Sequence, residues 1–299
     1  MLALRSVLVI AGDDEAAYAA AASAAADAVL FDLAEPGSQR QRAAARRLVE
    51  QYAPLTASAR RTVVVRIGDT RSGELEADVD AVVMAAISAV VLPGADLPQD
   101  VRDADVAIRK REMRRGVPPG SLRLIPELDS AGGLRALPSI LEAVDRHGAV
   151  AIRVGDLLDH AGAGGSLGAP ANGTAHATLA EHAMAEVAIG AAAAGLPWIV
   201  TGRDATAMAT RARDLGATGV AVASDAEARG MNALFAPDPE DIAAARAMLA
   251  EWERVRGRGR WLGAVDVAGG ARVVDRRSVR HARTLVGRAD AIERRAAAR

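Results

Sequence analysis

The chain has 299 residues, enough for one α/β barrel or two smaller domains, and 51% of them are hydrophobic. Its net charge of -1 creates no electrostatic field that would attract nucleic acid or an anionic membrane. The absence of cysteine excludes disulfides and thiolate catalysis. No apolar run reaches the roughly 18 residues of a membrane-spanning helix, and the first apolar run reads as a strand rather than a signal peptide. These features predict a soluble, cytoplasmic protein.

Short apolar runs alternate with helical stretches along most of the chain. The runs are consecutive Val, Ile, Leu and Ala residues, a pattern typical of strands that are buried on both faces. The predicted strands lie at 6–11, 28–33, 62–67, 89–92, 123–127, 149–156, 198–201 and 219–223. The predicted helices lie at 13–26, 38–52, 74–86, 101–115, 175–194, 204–215 and 238–255, with one more between the fifth and sixth strands.

Eight such units within about 250 residues have the size of a TIM (β/α)₈ barrel, with a doubly wound open sheet as the alternative. After Arg256 the composition changes to a Gly/Arg-rich connector, followed by a short strand-like piece and a helix. We therefore expect an α/β barrel catalytic domain at 1–256. The C-terminal helical extension at 257–299 is expected to act as a lid or oligomerisation segment.

The stretch from 123 to 156 is the most informative part of the sequence. Two predicted strands flank a helical segment, and they end on Glu127 and Asp156. Strands connected in this way pair in parallel, so both carboxylates are expected at the same edge of the sheet. Two hard oxygen ligands there can hold Mg²⁺ or Mn²⁺, with water or substrate in the other positions. The alternative is that both are helix-capping or salt-bridged surface acids.

Two further polar residues follow the second and third strands, Asp32 and Arg66. Together with Glu127 and Asp156 they are expected to converge at one barrel mouth. Arginine binds a carboxylate bidentately, and a divalent ion polarises a carbonyl oxygen, so the set suits a carboxylate-bearing substrate. The glycine-rich segment 162–173 lacks the lysine of a P-loop, and we interpret it as a mobile loop over this mouth.

Seven short motifs occur in a fixed order over about 270 residues: RSVLVIAG, FDLAE, VVVRIGD, VVLPGAD, LIPELDSAGGL, RVGDLLDHAG and GGARVVDRRSVRHA. In order and spacing they resemble the citrate lyase β-subunit-like (CitE-like) branch of the HpcH/HpaI aldolase family. The resemblance implies a TIM barrel, a homotrimer and a Mg²⁺-dependent C–C lyase. Its substrates would be acyl-CoA thioesters such as malyl-CoA, citramalyl-CoA or citryl-CoA, cleaved to a 2-keto acid and an acyl-CoA.

The resemblance also implies roles for individual residues. Arg66 corresponds to the arginine that binds the substrate carboxylate, and Glu127 and Asp156 correspond to the metal ligands. Asp275 corresponds to an aspartate on a C-terminal lid that reaches a neighbouring subunit's site. Asp32 and Glu35, in the sequence Asp-Leu-Ala-Glu, stand where the family has Asp-Leu-Glu-Asp, so one outer acid is missing and these two are the candidate catalytic acids.

Three other positions depart from the family pattern. Gly94 replaces a lysine, Arg153 replaces a glycine three residues before Asp156, and 223–225 read Ala-Ser-Asp instead of Ile-His-Pro. We therefore keep two hypotheses, a metal-dependent lyase and a diverged, non-catalytic or regulatory protein with a vestigial site. Metal binding distinguishes between them.

Overall fold

The structure, a computed structural model, describes residues 2–34, 37–162 and 174–296. Eight parallel strands pair in sequence order and close into a barrel, because β8 pairs with β1. The strands are β1 (Ser6–Ala11), β2 (Ala28–Asp32), β3 (Thr62–Arg66), β4 (Ala89–Leu92), β5 (Arg123–Leu128), β6 (Val150–Arg153), β7 (Trp198–Thr201) and β8 (Gly219–Val222). The predicted (β/α)₈ barrel is confirmed.

Helices follow the strands of the barrel. They are α1 (Glu15–Ala20), α2 (Gln39–Ser58), α3 (Leu75–Val82), α4 (Pro98–Arg115), α5 (Ala131–Glu142), α6 (Val154–His160), α7 (Thr174–Ala194), α8 (Ala209–Asp214) and α9 (Asp225–Leu234). No described helix is long and apolar enough to cross a membrane.

Two of these helices differ from the sequence prediction. The sixth strand ends at Arg153, and the residues after it form α6. The helix α9 was not predicted at all. Its start has the Ser-x-x-Glu sequence of a capping box, and the Oγ of Ser224 accepts a hydrogen bond from the N–H of Glu227. The Ser-Asp pair at 224–225 therefore starts α9, and Asp225 also accepts a hydrogen bond from the N–H of Ala25.

Side-chain direction alternates along the strands, and this alternation separates core from site. In β2, Val29 and Phe31 belong to the hydrophobic core between strands and helices, whereas Leu30 and Asp32 line the barrel interior. The same alternation in the other strands aims their last polar residues inward. The fold thus presents these residues at the carboxyl ends of the strands, where barrel enzymes keep their chemistry.

Contacts divide the described chain into two compact units, 4–235 and 236–296, the second including Leu2 and Ala3. The second unit contains α10 (Pro239–Gly257), an antiparallel hairpin and a long final helix. The hairpin strands are β9 (Gly263–Val267) and β10 (Gly270–Val274), and the helix is α11 (Arg276–Ala296). Along the chain this division falls after residue 235, whereas the sequence analysis placed the barrel's end at 256. Helix α10 shares its apolar contacts with the hairpin, through Trp252 and Val274.

A buried ion cluster lies before β5 and β6, at the end of the barrel opposite to the strand carboxyl ends. The guanidinium of Arg146 donates to both oxygens of Glu112 at 3.1 and 3.0 Å, and its Nε contacts Asp105. The N–H groups of Gly120 and Leu122 donate to the same Glu112 carboxylate. With Glu112 fully buried, this cluster is a stability element remote from the strand carboxyl ends.

Glu112→Gln is expected to lower the free energy of unfolding by about 3 kcal/mol at neutral pH, because the buried Arg146 loses a charge partner. Burial opposes ionisation of Glu112, but the bonds from Arg146, Gly120 and Leu122 outweigh it and lower its pKa. Because the pKa of Glu112 is lower in the folded state, its ionised carboxylate stabilises the fold at pH values above the unfolded-state pKa of roughly 4.3. This stabilisation is lost as the pH falls through the folded-state pKa. Urea titrations of both proteins should therefore converge at acidic pH.

Glu76→Gln is the matched control, since Glu76 also pairs with an arginine, Arg111, but is largely exposed. It should cost no more than about 1 kcal/mol. Equal urea midpoints for wild type and Glu112→Gln at pH 7 would contradict a stabilising role for the cluster.

Candidate active site at the barrel mouth

A cavity of about 610 Å³ opens at the carboxyl ends of the barrel strands. Its polar lining includes the last residues of four strands and an inward residue of β5: Asp32, Arg66, Glu127, Arg153 and Thr201. Its apolar lining includes Val9, Leu30 and Val222. The structure thus brings together three of the four residues expected at this mouth, Asp32, Arg66 and Glu127.

Arg66 is the centre of this polar group. Its Nη1 lies 3.1 Å from Oδ2 of Asp32, its neighbour across the β2–β3 pair, and its Nε lies 2.8 Å from Oε2 of Glu127. All three side chains are less than one tenth exposed. Ion pairs withdrawn from water in this way are held firmly, because breaking one leaves a buried charge. The guanidinium is therefore fixed in the cavity wall.

Glu127 is oriented from its other side by Thr201. The hydroxyl of Thr201 donates to Oε1 of Glu127 at 2.7 Å and lies 3.3 Å from the carbonyl oxygen of Ile152. The sequence analysis did not select Thr201. It ends the seventh predicted strand with a polar side chain, the same signal that identified Asp32 and Arg66.

Asp156 follows the carboxyl end of β6 by three residues and does not itself end the strand. It occupies the first turn of α6, and its Oδ2 lies 2.7 Å from Nε of Arg153. This contact agrees with the alternative given in the sequence analysis, in which Asp156 is a salt-bridged acid. The sequence did not indicate that a helix starts at Val154, since an apolar residue after Arg153 also fits a continuing strand. Asp156 is 42% exposed, unlike Glu127.

Asp129 is a further acid near the site that the sequence analysis did not select. Its Oδ2 accepts from the N–H of Gly94 at 3.0 Å, and both residues line a second cavity of about 300 Å³ together with Arg66. Burial raises the pKa of Asp129, and the charges of Asp96 and Asp156 add to this, while Gly94 and Arg66 oppose it. Gly94 has φ +60°, so its turn favours glycine over the lysine of the family pattern.

Two predicted site residues remain, Glu35 and Asp275. Glu35 lies outside the described residues, as does 163–173 of the predicted loop. Asp275 belongs to the C-terminal unit, where its Oδ1 accepts from the N–H of Ser278 at 2.8 Å at the start of α11. This N–H lowers the pKa of Asp275.

The carboxylate oxygens at the barrel mouth are suitable ligands for an ion such as Mg²⁺. The described chain has no cluster of three or more acidic, His or Cys side chains that could enclose a metal. An ion held by Glu127 and Asp156 would leave most of its coordination positions to water and substrate, as Mg²⁺ sites do. The buried and hydrogen-bonded Glu127 gives one ligand a fixed position.

Family comparison agrees with the barrel fold. Residues 5–229 match the model of the family described as HpcH/HpaI aldolase/citrate lyase. This range contains all eight barrel strands together with Asp32, Arg66, Glu127 and Asp156. The chain belongs to the HpcH/HpaI aldolase/citrate lyase family.

Curated relatives fall into two groups by coverage. Citrate lyase subunit beta of Escherichia coli (strain K12) is 31% identical over 156 residues, covering 52% of this chain and 51% of that protein. The chain thus spans about half the length of the citrate lyase subunits that it matches. A (3S)-malyl-CoA thioesterase of Cereibacter sphaeroides (strain KD131 / KCTC 12085) is 27% identical over 300 residues, 96% of this chain and 95% of that protein.

Solved structures share the fold. CitE from Mycobacterium tuberculosis, in complex with magnesium, acetoacetate and coenzyme A, has a TM-score of 0.63 at 24% identity, over 96% of this chain and 100% of that one. A citrate lyase from Burkholderia xenovorans LB400 has a TM-score of 0.67 at 20% identity, over 100% of this chain and 96% of that one.

Proposed function

We propose that this protein is a Mg²⁺-dependent carbon–carbon lyase that cleaves a carboxylate-bearing acyl-CoA thioester into a 2-keto acid and an acyl-CoA. The observation that carries the proposal is the contact of Arg66 with Glu127 inside the barrel mouth, at 2.8 Å. Arg66, a cation that can bind a substrate carboxylate, lies beside Glu127, a carboxylate that can bind a hard metal ion. Malyl-CoA, citramalyl-CoA and citryl-CoA are substrates of the required chemistry.

Glu127 and Asp156 are the residues that would hold the ion. A bound divalent ion supplies a Lewis acid that polarises the substrate carbonyl and stabilises the charge that develops in the reaction. Arg66 receives the substrate carboxylate and keeps its charge at any physiological pH. Its position is fixed before substrate arrives, because Asp32 and Glu127 already hold the guanidinium.

Asp32 is the candidate base for the substrate hydroxyl. Its Oδ1 accepts from the N–H of Ala34 at 2.9 Å and its Oδ2 faces Arg66, so the carboxylate has a defined orientation in the cavity. As Asp32 takes the hydroxyl proton, the hydroxyl carbon becomes the carbonyl of the 2-keto acid and the carbon–carbon bond breaks. Its electron pair passes to the α-carbon of the thioester as an enolate, and protonation of that carbon gives the acyl-CoA. Glu35, three residues later, is a second candidate acid.

Relatives support this substrate class. The relative that matches over nearly its whole length is named for malyl-CoA, and the CitE structure contains magnesium, acetoacetate and coenzyme A. We extend the divalent ion and the thioester substrate to this chain on the family membership and on its own cavity residues. The predicted cytoplasmic location stays a prediction.

The name of the full-length relative favours a second candidate function, hydrolysis of the thioester. The two reactions leave different products. A lyase releases a 2-keto acid and keeps the thioester intact, whereas a thioesterase releases free coenzyme A thiol and no keto acid.

The test is to incubate the protein with each of the three thioesters, with Mg²⁺ and with a chelator, and to assay keto acid and free thiol separately. Metal-dependent keto acid without thiol supports the lyase. Thiol without keto acid supports the thioesterase instead. A protein that forms neither product, and whose melting temperature does not rise with Mg²⁺, is the diverged, non-catalytic alternative.

Asp275 is proposed to complete the site of a neighbouring subunit in a homotrimer, as proton donor or acceptor. Asp275→Asn is expected to lower turnover by about 100-fold, the scale of a general acid or base. Asparagine is also a good helix N-cap, so the start of α11 should persist. We expect activity to recover when this variant exchanges subunits with inactive Arg66→Ala. Hetero-oligomers without recovered activity would rule out the shared site.

A further inference from the structure

The cavity contains a second arginine that the proposed reaction does not use. Arg153 ends β6 opposite Thr201 of β7, and its neighbour Ile152 faces the hydrophobic core. Because side chains alternate along a strand, Arg153 points to the barrel interior, where it lines the cavity with Arg66 and Glu127.

The guanidinium of Arg153 lies against Asp156. Its Nε is 2.7 Å from Oδ2 of Asp156, and the arginine side chain is only 16% exposed. Its aliphatic stem runs along the backbone at Gly202, where a Cβ would lie 3.9 Å from the Cβ and Cγ of Arg153. Packing and charge therefore hold the side chain over this carboxylate.

We propose that Arg153 is an internal counter-cation that competes with the divalent ion for Asp156. This inference rests on the proposed function, in which Asp156 is a metal ligand. A guanidinium and a divalent ion that contact the same carboxylate repel each other, and the half-buried setting of Asp156 screens this repulsion less than water does. The charge of Arg66 beside Glu127 is already offset by a second carboxylate, Asp32, so that pair opposes the ion less. Metal binding at Glu127 and Asp156 thus requires Arg153 to leave Asp156, and the ion pair lowers metal affinity.

The arrangement makes Arg153 a positioning residue rather than a metal ligand or a catalytic group. While the ion pair is closed, Glu127 is held by Arg66 and Thr201, and Asp156 is held by Arg153. Both proposed ligands then have a protein cation beside them. Removing the charge of Arg153 should free Asp156 and leave the contacts of Glu127 intact.

The test is the affinity for Mn²⁺, measured by calorimetry and by the paramagnetic resonance signal of free Mn²⁺. Arg153→Met keeps the apolar stem and removes the charge, and we expect it to bind Mn²⁺ about tenfold or more tightly than wild type, since the competing ion pair is gone. Arg153→Lys, which keeps the charge, should stay near wild type. Tighter binding is a result that a purely structural role of Arg153 does not give.

Arg203→Met is the matched control, because Arg203 lines the same cavity but is exposed. It should change Mn²⁺ affinity by no more than about threefold, the effect expected of an exposed charge. Arg153→Gln serves as second neutral variant should Arg153→Met fail to fold. Equal or weaker Mn²⁺ binding by the folded neutral variant overturns the proposal, as does an equal gain in Arg203→Met.

Asp156→Asn separates failure of this inference from failure of the proposed function. If Asp156→Asn loses Mn²⁺ binding while the neutral Arg153 variants match wild type, the metal site stands and the competition is wrong. If wild type and the neutral Arg153 variants all fail to bind Mn²⁺, the metal assignment itself is wrong.

Discussion

Glu127→Gln is expected to remove divalent-ion binding and to lower lyase turnover by about 1,000-fold. Metal stabilisation of transition-state charge is worth several kcal/mol, and each ~1.4 kcal/mol is a factor of ten in rate. Glutamine keeps the shape of Glu127 but takes away a charged ligand oxygen and the partner of Arg66. Calorimetry with Mg²⁺ and the keto acid assay measure the two effects on one preparation.

Glu227→Gln is the control for this substitution. Glu227 lines the same cavity, but its Oε2 accepts from the N–H of Ala223 in the cap of α9, and glutamine can keep that bond. We expect near-normal Mg²⁺ affinity in this variant. Unchanged Mg²⁺ affinity in Glu127→Gln as well would remove Glu127 from the metal site.

Arg66→Lys is expected to bind the metal yet lose about 300-fold in kcat/KM and in affinity for a 2-keto acid such as pyruvate. Two charge-assisted hydrogen bonds to a carboxylate are lost or weakened, at roughly 1.5–3 kcal/mol each. A lysine ammonium also cannot span Asp32 and Glu127 in the planar geometry that Arg66 uses. Calorimetric titration with pyruvate, in the presence of Mg²⁺, gives the affinity directly.

Arg203→Lys is the comparison for Arg66→Lys, since it makes the same chemical change at an exposed residue of the same cavity. It should shift pyruvate affinity by less than about threefold. Pyruvate affinities equal to wild type in Arg66→Lys would exclude Arg66 as the carboxylate-binding residue.

The sequence predicted the barrel and most of its mouth for a simple physical reason. Parallel strands that are buried on both faces appear as continuous apolar runs, and the polar residue that ends such a run lies at the carboxyl edge. Asp32 and Arg66 could be placed beside each other by this rule, and they face each other in the register of β2 and β3.

Other features could not be predicted because they depend on contacts between distant residues or on short turns. Val154 after Arg153 fits a continuing strand as well as a helix, so the sequence did not reveal that Asp156 belongs to a helix. The pairing of Arg153 with Asp156 depends on the direction of a strand-end side chain. The grouping of α10 with the hairpin depends on apolar contacts such as that of Trp252, which composition does not encode.

The departures from the family pattern differ in what they contact. Gly94 provides a left-handed turn and an N–H for Asp129, and the Ser-Asp pair at 224–225 starts α9. Arg153 is different, because it contacts a proposed metal ligand directly. It is therefore the departure with the largest expected consequence for metal chemistry.

The most direct test of the central claim is a crystal structure of the protein with Mn²⁺ and a 2-keto acid, in which anomalous scattering locates the metal. The account predicts one Mn²⁺ ion bound by Glu127 and Asp156 at roughly 2.1 Å, with the keto acid carboxylate on Arg66 and with Arg153 moved away from Asp156. A metal ion bound elsewhere, or a keto acid without contact to Arg66, would contradict it.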